Sequence, residues 1–165
     1  MSEKKKNSET YILFEIAGTT YGISSQSVQQ MEMIEHITPL PNAPAFVEGV
    51  VFSRGQVIPA LNIRNRFGFE KAPHTNRTRL IVANHRERLI GLIVDSAREF
   101  MSISSDAIQP PPDSIEGLSG KYLKGIVTLE ERIVLVLDLD ELVNVGSNGT
   151  SAVQTKGAGD GEQQK

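Results

Sequence analysis

Short apolar runs separated by turn residues recur through the middle of this chain. Each run is rich in β-branched or aromatic residues and is bounded by glycine, proline, asparagine or charged residues, which is typical of β-strands. The pattern predicts strands at 11–16, 49–52, 56–61, 78–83, 89–94, 125–129 and 132–137. Strands of this length and spacing favour a closed or sandwiched β structure.

The connections between these strands carry recognisable turn and helix signals. Tight hairpin turns are predicted at 17–20, 54–55, 84–87 and 130–131. Gly55 supplies the positive φ that a two-residue turn requires. Short helices are predicted at 25–31, 62–67 and 138–143, each beginning beside a Ser, Asn or Asp that can cap the first free amides. The proline-rich segments 37–44 and 109–119 are predicted to be loops.

One arrangement of elements occurs twice. A strand, a turn, a strand and a short helix follow one another over 50–67, and the same order returns over 125–143. The repetition predicts two similar halves. We therefore expect a mostly β fold of two packed five-stranded SH3-like β-barrel subdomains with short helices, since each barrel would close its own sheet edges.

The two ends of the chain differ in composition from its middle. Residues 1–9 are charged and polar, and residues 146–165 are mainly Gly, Ser, Thr, Gln and charged. Segments with so few apolar side chains cannot offset the entropy of ordering. We expect disorder at 1–9 and 146–165, and a single domain at 10–145.

Charge and cysteine content narrow the function classes. The net charge is −3, and 17 basic residues are interleaved with 20 acidic ones. No positive field of the kind that binds nucleic acid or an anionic membrane is expected. The chain has no cysteine, and no apolar run approaches the length of a membrane span. A cytoplasmic protein without direct membrane contact is predicted.

Catalytic, metal and cofactor motifs are not found in the sequence. His36, His74 and His85 are scattered and lack metal-ligand spacing. The acidic run 138–141 lacks the pattern of a calcium loop and is interpreted as a helix cap. Ser53 does not stand in a Gly-x-Ser-x-Gly turn, and no phosphate-binding glycine loop occurs. We expect no enzyme activity, no cofactor and no metal.

A set of short motifs recurs in a specific order along residues 11–143. The motifs are YGI (21–23), PAFVEGV (44–50), RGQVIP (54–59), NIR (62–64), GLIVD (91–95), IQPPP (108–112), YLKG (122–125) and LVLDLDEL (135–142). Each is weak alone, but their order and spacing resemble the CheW-like chemotaxis coupling proteins of bacteria.

The resemblance implies a fold, a function and partners. It implies two interlocked β-barrels without catalytic activity, acting as an adaptor between chemoreceptors and a CheA-type histidine kinase. A groove between the barrels would take the helical-hairpin tip of a methyl-accepting chemoreceptor, and barrel contacts would hold the regulatory domain of the kinase. The protein would be cytoplasmic and would reach membrane receptor arrays only through these partners.

The resemblance also implies a set of site residues. The expected receptor-binding residues are Val28, Gln30, Val50, Phe52 and Arg54, and Gly49 and Gly55 would shape the groove. Arg54 would act as a polar anchor, because a planar guanidinium can bind backbone carbonyls at a hairpin tip. Two alternatives stay open at this point: Arg54 is an ordinary exposed turn residue, or Val28 belongs to the core.

The chain departs from the family pattern at two places. Phe52 and Ser53 stand where the family is close to Asn-Leu, and Gln30 stands where a Glu is common. If that Glu pairs with the arginine, this chain substitutes a neutral hydrogen bond or uses Glu32 or Glu35. Alternative functions are therefore an adaptor of a parallel chemosensory system, such as one for pilus motility, or a module that competes with another coupling protein. A small β-barrel ligand-binding domain or hydrolase is the more distant alternative.

Overall fold

A computed structural model describes residues 8–112 and 121–144. Within them the chain forms ten strands, two short α-helices and two 3₁₀ turns. The elements are β1 (Ser8–Ile16), β2 (Thr19–Ser24), a 3₁₀ turn (Ser25–Ser27), β3 (Val28–Met33), β4 (Val47–Ser53), β5 (Gln56–Asn62), α1 (Ile63–Arg66), β6 (Arg79–His85), β7 (Arg88–Val94), β8 (Ser96–Ser104), a second 3₁₀ turn (Ser105–Ala107), β9 (Leu123–Leu129), β10 (Arg132–Leu137) and α2 (Leu139–Val143).

The strands form two five-stranded sheets. The second sheet is built from consecutive strands, and the first takes its strands from before and after them. The first sheet has the order β8-β1-β2-β10-β9, and the second has the order β3-β6-β7-β5-β4. The chain leaves the first sheet after β2, builds the second, and returns to the first with β8. Each sheet holds one parallel pair, β2 with β10 and β5 with β7, among antiparallel neighbours. The predicted two similar halves of five strands are confirmed.

In each sheet, one backbone bridge also connects an edge strand to the segment that follows the opposite edge strand. The segment after β3 meets β4 through a single pair, Thr38 with Val50, and the segment after β8 meets β9 through Gln109 with Ile126. These bridges need a close backbone approach, and glycine permits it at both places. A Cβ on Gly49 would lie 2.2 Å from the Thr38 carbonyl oxygen, and one on Gly125 would lie 2.4 Å from the Ile108 side chain.

The core has three parts, which explains why the strands are apolar on both faces. On β1, Ile12 and Phe14 face a large core shared by the two sheets, whereas Tyr11 and Leu13 face a smaller core inside the first sheet. The second sheet has its own inner core around Ile58 and Leu80. Strands that are buried on both faces carry continuous apolar runs rather than an alternating pattern.

Arg66 links the two halves near the shared core. From the end of α1 its Nε donates to the Leu142 carbonyl oxygen at 2.8 Å, and a terminal nitrogen donates to the Asn144 carbonyl oxygen at 2.5 Å. Its guanidinium lies 4.0 Å from the centre of the Phe46 ring and 5.1 Å from that of Tyr122. Burial lowers the pKa of Arg66 from its ordinary value. The arginine therefore satisfies free carbonyls at the end of α2, which belongs to the other half.

The predicted helix at 25–31 is wrong. Only Ser25–Ser27 form a 3₁₀ turn, and β3 follows at once. The first residues do have a helix-start signal, because the Ser24 side chain accepts a hydrogen bond from the Gln26 amide. Pairing of β3 with β6, with Met31 opposite Ile81, then overrides the local preference. The helices at 62–67 and 138–143 are confirmed with slightly shorter bounds, and Asn62 and Asp138 cap them.

The chain ends differ in one respect from the expectation. β1 begins at Ser8, and Ser8 and Glu9 stand opposite Ser104 and Ile103, so two residues of the segment 1–9 belong to a strand. Residues 1–7, most of the predicted loop at 109–119 and the predicted disordered tail at 146–165 lie outside the described residues. No helix within 8–112 and 121–144 is long and apolar enough to span a bilayer.

Candidate functional site: a groove at the edge of the second sheet

The hairpin of β4 and β5 presents an exposed apolar pair beside an arginine. Val51 and Ser53 point inward and are buried, so Phe52 between them points outward, with 75% of its surface exposed. Val57 stands opposite Phe52 in the register and is 65% exposed. Such large exposed apolar side chains next to one another are typical of a binding surface.

The turn of this hairpin fixes the position of Arg54. Arg54 has φ 51° and Gly55 has φ 81°, so both central residues of the two-residue turn are left-handed. This geometry matches the twist of the flanking strands, which makes the hairpin tip compact. The predicted hairpin turn at 54–55 is confirmed. Arg54 is therefore the first central residue of this turn, two positions after Phe52.

An open groove runs between β3 and β4, the two edge strands of the second sheet. We call it the edge groove; it encloses about 490 Å³. Its lining includes Gln30, Glu32, Glu35, His36, Phe52, Ser53 and Arg54. Three of the predicted receptor-binding residues therefore share one surface. The groove is formed by the second sheet alone, whereas the resemblance implied a groove between the two barrels.

The base of the edge groove is a hydrogen-bonded cluster of three polar side chains. Ser53 Oγ donates to Glu32 Oε2 at 2.7 Å, and Gln30 Nε2 donates to Ser53 Oγ at 3.3 Å. Gln30 Nε2 also donates to the same Glu32 oxygen. Glu32 is thus held by neutral donors, one of them from the opposite strand. The departure at Gln30 suggested a partner for Arg54, either a neutral hydrogen bond or Glu32 or Glu35, whereas these bonds join Gln30, Ser53 and Glu32 to one another.

Arg54 stands at the mouth of the same groove without a partner. Among residues 8–112 and 121–144 no side chain or backbone oxygen accepts a hydrogen bond from Arg54, and no carboxylate forms an ion pair with it. Its side chain is exposed. The groove therefore combines an exposed aromatic ring, a free guanidinium and a carboxylate that is already bound.

The other predicted site residues lie elsewhere. Val28 is half-buried and packs against the shared core between the sheets, which agrees with the core alternative for this residue. Val50 is half-buried, and its backbone makes the bridge to Thr38. Gly49 permits that bridge, and Gly55 completes the hairpin turn. Neither valine lines the edge groove.

Sequence reasoning identified Glu32 only as a possible substitute partner and treated Ser53 only as a departure. A signal for both existed in the two-residue period of strands. Gln30 and Glu32 share one face of β3, and Ser53 ends β4 on the inward face. The helix predicted at 25–31 concealed this, because it assigned Gln30 to a helix that ends before Glu32.

In the described part of the chain, two histidines each lie against a carboxylate. His85 Nε2 lies 2.6 Å from Asp140 Oδ1, and His74 Nε2 lies 3.5 Å from Glu48 Oε2. Over 8–112 and 121–144, no group of three or more such side chains is arranged to hold a metal. His36 lines the edge groove but does not bond to Ser53 or Glu32, so these described residues form no Ser–His–carboxylate relay.

Comparisons with known proteins identify the family to which this chain is similar. The CheW-like domain family matches residues 10–146. The chemotaxis protein CheW of Klebsiella aerogenes is 28% identical over 136 residues, covering 82% of each chain, and that of Rhizobium meliloti is 30% identical over 131 residues, covering 79% of this chain and 84% of the relative. Protein FrzA of Myxococcus xanthus is 26% identical over 127 residues, covering 77% of this chain and 79% of the relative.

A solved structure shares the fold. The crystal structure of the scaffolding protein TtCheW from Thermoanaerobacter tengcongensis superposes with a TM-score of 0.78 at 28% sequence identity, covering 86% of this chain and 94% of that one. The motifs quoted from the sequence, the two interlocked sheets and the match over 10–146 agree with one another. The chain belongs to the CheW-like domain family.

Proposed function

We propose that this protein is a non-catalytic adaptor that couples methyl-accepting chemoreceptors to a CheA-type histidine kinase in the cytoplasm. The observation that carries the proposal is that exposed Phe52 and unpartnered Arg54 lie side by side on the β4–β5 hairpin at the edge groove. Membership of the CheW-like family supports it, because relatives carry the name chemotaxis protein and the solved neighbour is called a scaffolding protein.

The receptor contact is a helix laid against the edge groove. Apolar helix residues pack on Phe52 and Val57, and Arg54 binds a polar group of the helical-hairpin tip. A contact of this kind buries on the order of 1,200–2,000 Å² and needs only micromolar affinity, about −8 kcal/mol. Many such links act together in a receptor array, so the array is held by avidity and the protein reaches the membrane only through its partners.

The kinase contact uses a surface distinct from the edge groove. A coupling protein must hold both partners at once, so it needs two separate surfaces. Loss of one contact then leaves the other in place. This separability is the property that a scaffold has and a simple competitor for receptors lacks. It makes the adaptor function testable with single substitutions.

Arg54→Glu tests the proposal by co-sedimentation with receptor-bearing membranes and by pull-down with the kinase. We expect Arg54→Glu to lose receptor binding and to keep both the fold and kinase binding. Arg86→Glu is the matched control, because Arg86 is also an exposed hairpin-turn arginine of the second sheet with positive φ, and its ion pair with Asp140 is long, at 3.8 Å, and exposed. Equal loss of both contacts, no loss of either, or turnover of a substrate by the purified protein would contradict the proposal.

An adaptor of a parallel chemosensory system is the second candidate. It is supported by the departures at Gln30 and at Phe52–Ser53, which meet in the edge groove, and by the relative FrzA, which does not carry the CheW name. Affinity capture from the native cell separates the two candidates. Recovery of the chemotaxis kinase supports the first, and recovery of a kinase from another chemosensory operon supports the second.

A further inference from the structure

Arg54 and Glu32 line the same groove but do not pair with each other. Glu32 accepts hydrogen bonds from Ser53 and Gln30, and Arg54 has no partner among the described residues. We propose that Arg54 binds a carboxylate of the partner helix, next to an apolar side chain that packs on Phe52. This inference rests on the adaptor function proposed above and specifies the chemistry of the group that the groove recognises.

The first reason is the cost of covering a free guanidinium. A helix that occupies the edge groove removes water from Arg54, and a cation that loses water without gaining an opposite charge is strongly unfavourable. Glu32 does not supply that charge, because it is turned toward the donors at the base of the groove. Glu35 also lines the groove but forms no ion pair with Arg54. The partner must therefore bring the negative charge.

The second reason is the geometry of the guanidinium. Its planar fork of N–H donors matches the two oxygens of a carboxylate, and such bidentate pairs are stronger and more specific than bonds to a neutral carbonyl. Arg54 presents this fork from a two-residue turn, so the hairpin sets where the side chain begins, next to Phe52. A carboxylate is thus favoured over the backbone carbonyls suggested by the sequence.

The spacing of Phe52 and Arg54 adds a constraint on the partner. Arg54 is a turn residue two positions after Phe52, so their Cα atoms lie no more than about 7 Å apart. Side chains three or four positions apart on a helix are neighbours at about 5–6 Å and reach over this span. The expected recognition element is therefore an apolar residue and a Glu or Asp at i, i+3 or i, i+4 on one exposed helix face.

The experiment measures the salt dependence of binding. The probe is the purified cytoplasmic fragment of a chemoreceptor from the organism that encodes this chain, including the helical-hairpin tip. For the wild-type protein we expect Kd to rise between about 50 and 300 mM NaCl, because salt screens the attraction between the exposed Arg54 of the free protein and the approaching carboxylate. Arg54→Gln should weaken binding about tenfold or more at low salt and flatten the dependence. Arg86→Gln should behave as the wild type.

A second variant acts from the opposite strand. Gln30→Glu adds a carboxylate beside Glu32, within the lining that also holds Arg54. This carboxylate would repel the acidic group of the partner and attract Arg54, so we expect several-fold weaker binding and a weaker salt dependence. Gln26→Glu is the control, because Gln26 is exposed in the 3₁₀ turn before β3 and does not line the edge groove.

Charge reversal provides the decisive step. Arg54→Glu should lose binding, and replacing one acidic residue of the receptor tip with Arg should restore it. If the wild type binds with a Kd that does not depend on salt and Arg54→Gln binds equally well, the carboxylate inference is wrong while the adaptor function stands. If the wild type binds no receptor fragment at any salt concentration, the adaptor function itself fails.

Discussion

Ser53 on β4 donates a hydrogen bond to Glu32 on β3 at 2.7 Å, across the opening between the two edge strands of the second sheet. These two strands are not neighbours in a backbone ladder, and the single bridge of Thr38 with Val50 lies beyond the end of β3. At the groove, this side-chain hydrogen bond therefore joins the two strands, as backbone hydrogen bonds do elsewhere in the sheet. It sets the distance between the walls that carry Phe52 and Gln30.

Removal of this bond should destabilise the protein modestly. Ser53→Ala deletes the hydroxyl that donates to Glu32 and accepts from Gln30, which costs about 1–2 kcal/mol of the free energy of unfolding. Urea denaturation followed by circular dichroism measures the loss. Ser102→Ala is the control, since Ser102 is an exposed serine on β8. Equal stability of the two variants would show that the cluster does not hold the edges together.

The fold was predictable from the sequence wherever a strand or turn has a strong local pattern of apolar, turn or capping residues. The doubly buried strands at 11–16, 79–83 and 89–94 are nearly continuous apolar runs, and the repeated hairpin and helix at 50–67 and 125–143 are marked by turn and capping residues. β2 was implied only by the hairpin turn predicted at 17–20, and β3 and β8 were missed because their sequences mix polar, charged and apolar residues. Their state is decided by pairing with β6 and β1, which is a long-range interaction.

The candidate site was predictable only in part, for the same reason. The turn at Arg54 and Gly55 is a local signal that the sequence identifies, whereas Phe52 and Arg54 were expected at the site from the family resemblance. The cluster of Gln30, Glu32 and Ser53 joins positions more than 20 residues apart, and its bonds depend on how two sheet edges approach. No local pattern encodes that distance. Val28 lies against the shared core because β3 runs beside it.

Gly49 and Gly55 should respond very differently to alanine. A Cβ on Gly49 would lie 2.2 Å from the Thr38 carbonyl oxygen, so the bridge must open, and we expect Gly49→Ala to cost about 3 kcal/mol or more. Around Gly55 nothing lies within 4 Å of the added Cβ, and only the strain of φ 81° remains, about 1 kcal/mol. Chemical denaturation of both variants gives the comparison. Equal losses would contradict this account of the bridge.

Arg66→Met should uncouple the two halves of the domain. The substitution keeps most of the apolar contact with Phe46 but removes the donors to the Leu142 and Asn144 carbonyl oxygens. Loss of charged hydrogen bonds at these half-buried acceptors should cost about 2–4 kcal/mol. Arg66→Lys is the informative second variant, because one ammonium cannot reproduce the planar fork, and it should restore less than half of the loss. Full recovery with lysine would mean that charge alone is sufficient.

Stability at high pH should depend on Tyr21. Its ring lies in the shared core, 5.2 Å from the ring of Phe67, and burial raises its pKa above the ordinary value of 10.0. The unfolded chain therefore loses the phenolic proton at a lower pH than the folded protein does. The resulting stabilisation is complete below about pH 10 and is lost as the pH rises through that value and toward the folded pKa.

Tyr21→Phe removes the ionisable group and keeps the ring. We expect the free energy of unfolding of this variant to fall less than that of the wild type between about pH 9 and 11, while the two proteins differ little near pH 8. Tyr11→Phe should act in the same direction, because burial first and the charge of Glu9 second raise the pKa of Tyr11. Urea titrations at each pH measure the slopes. All other ionisable groups are the same in the three proteins, so identical slopes would show that neither Tyr21 nor Tyr11 contributes to the loss of stability at high pH.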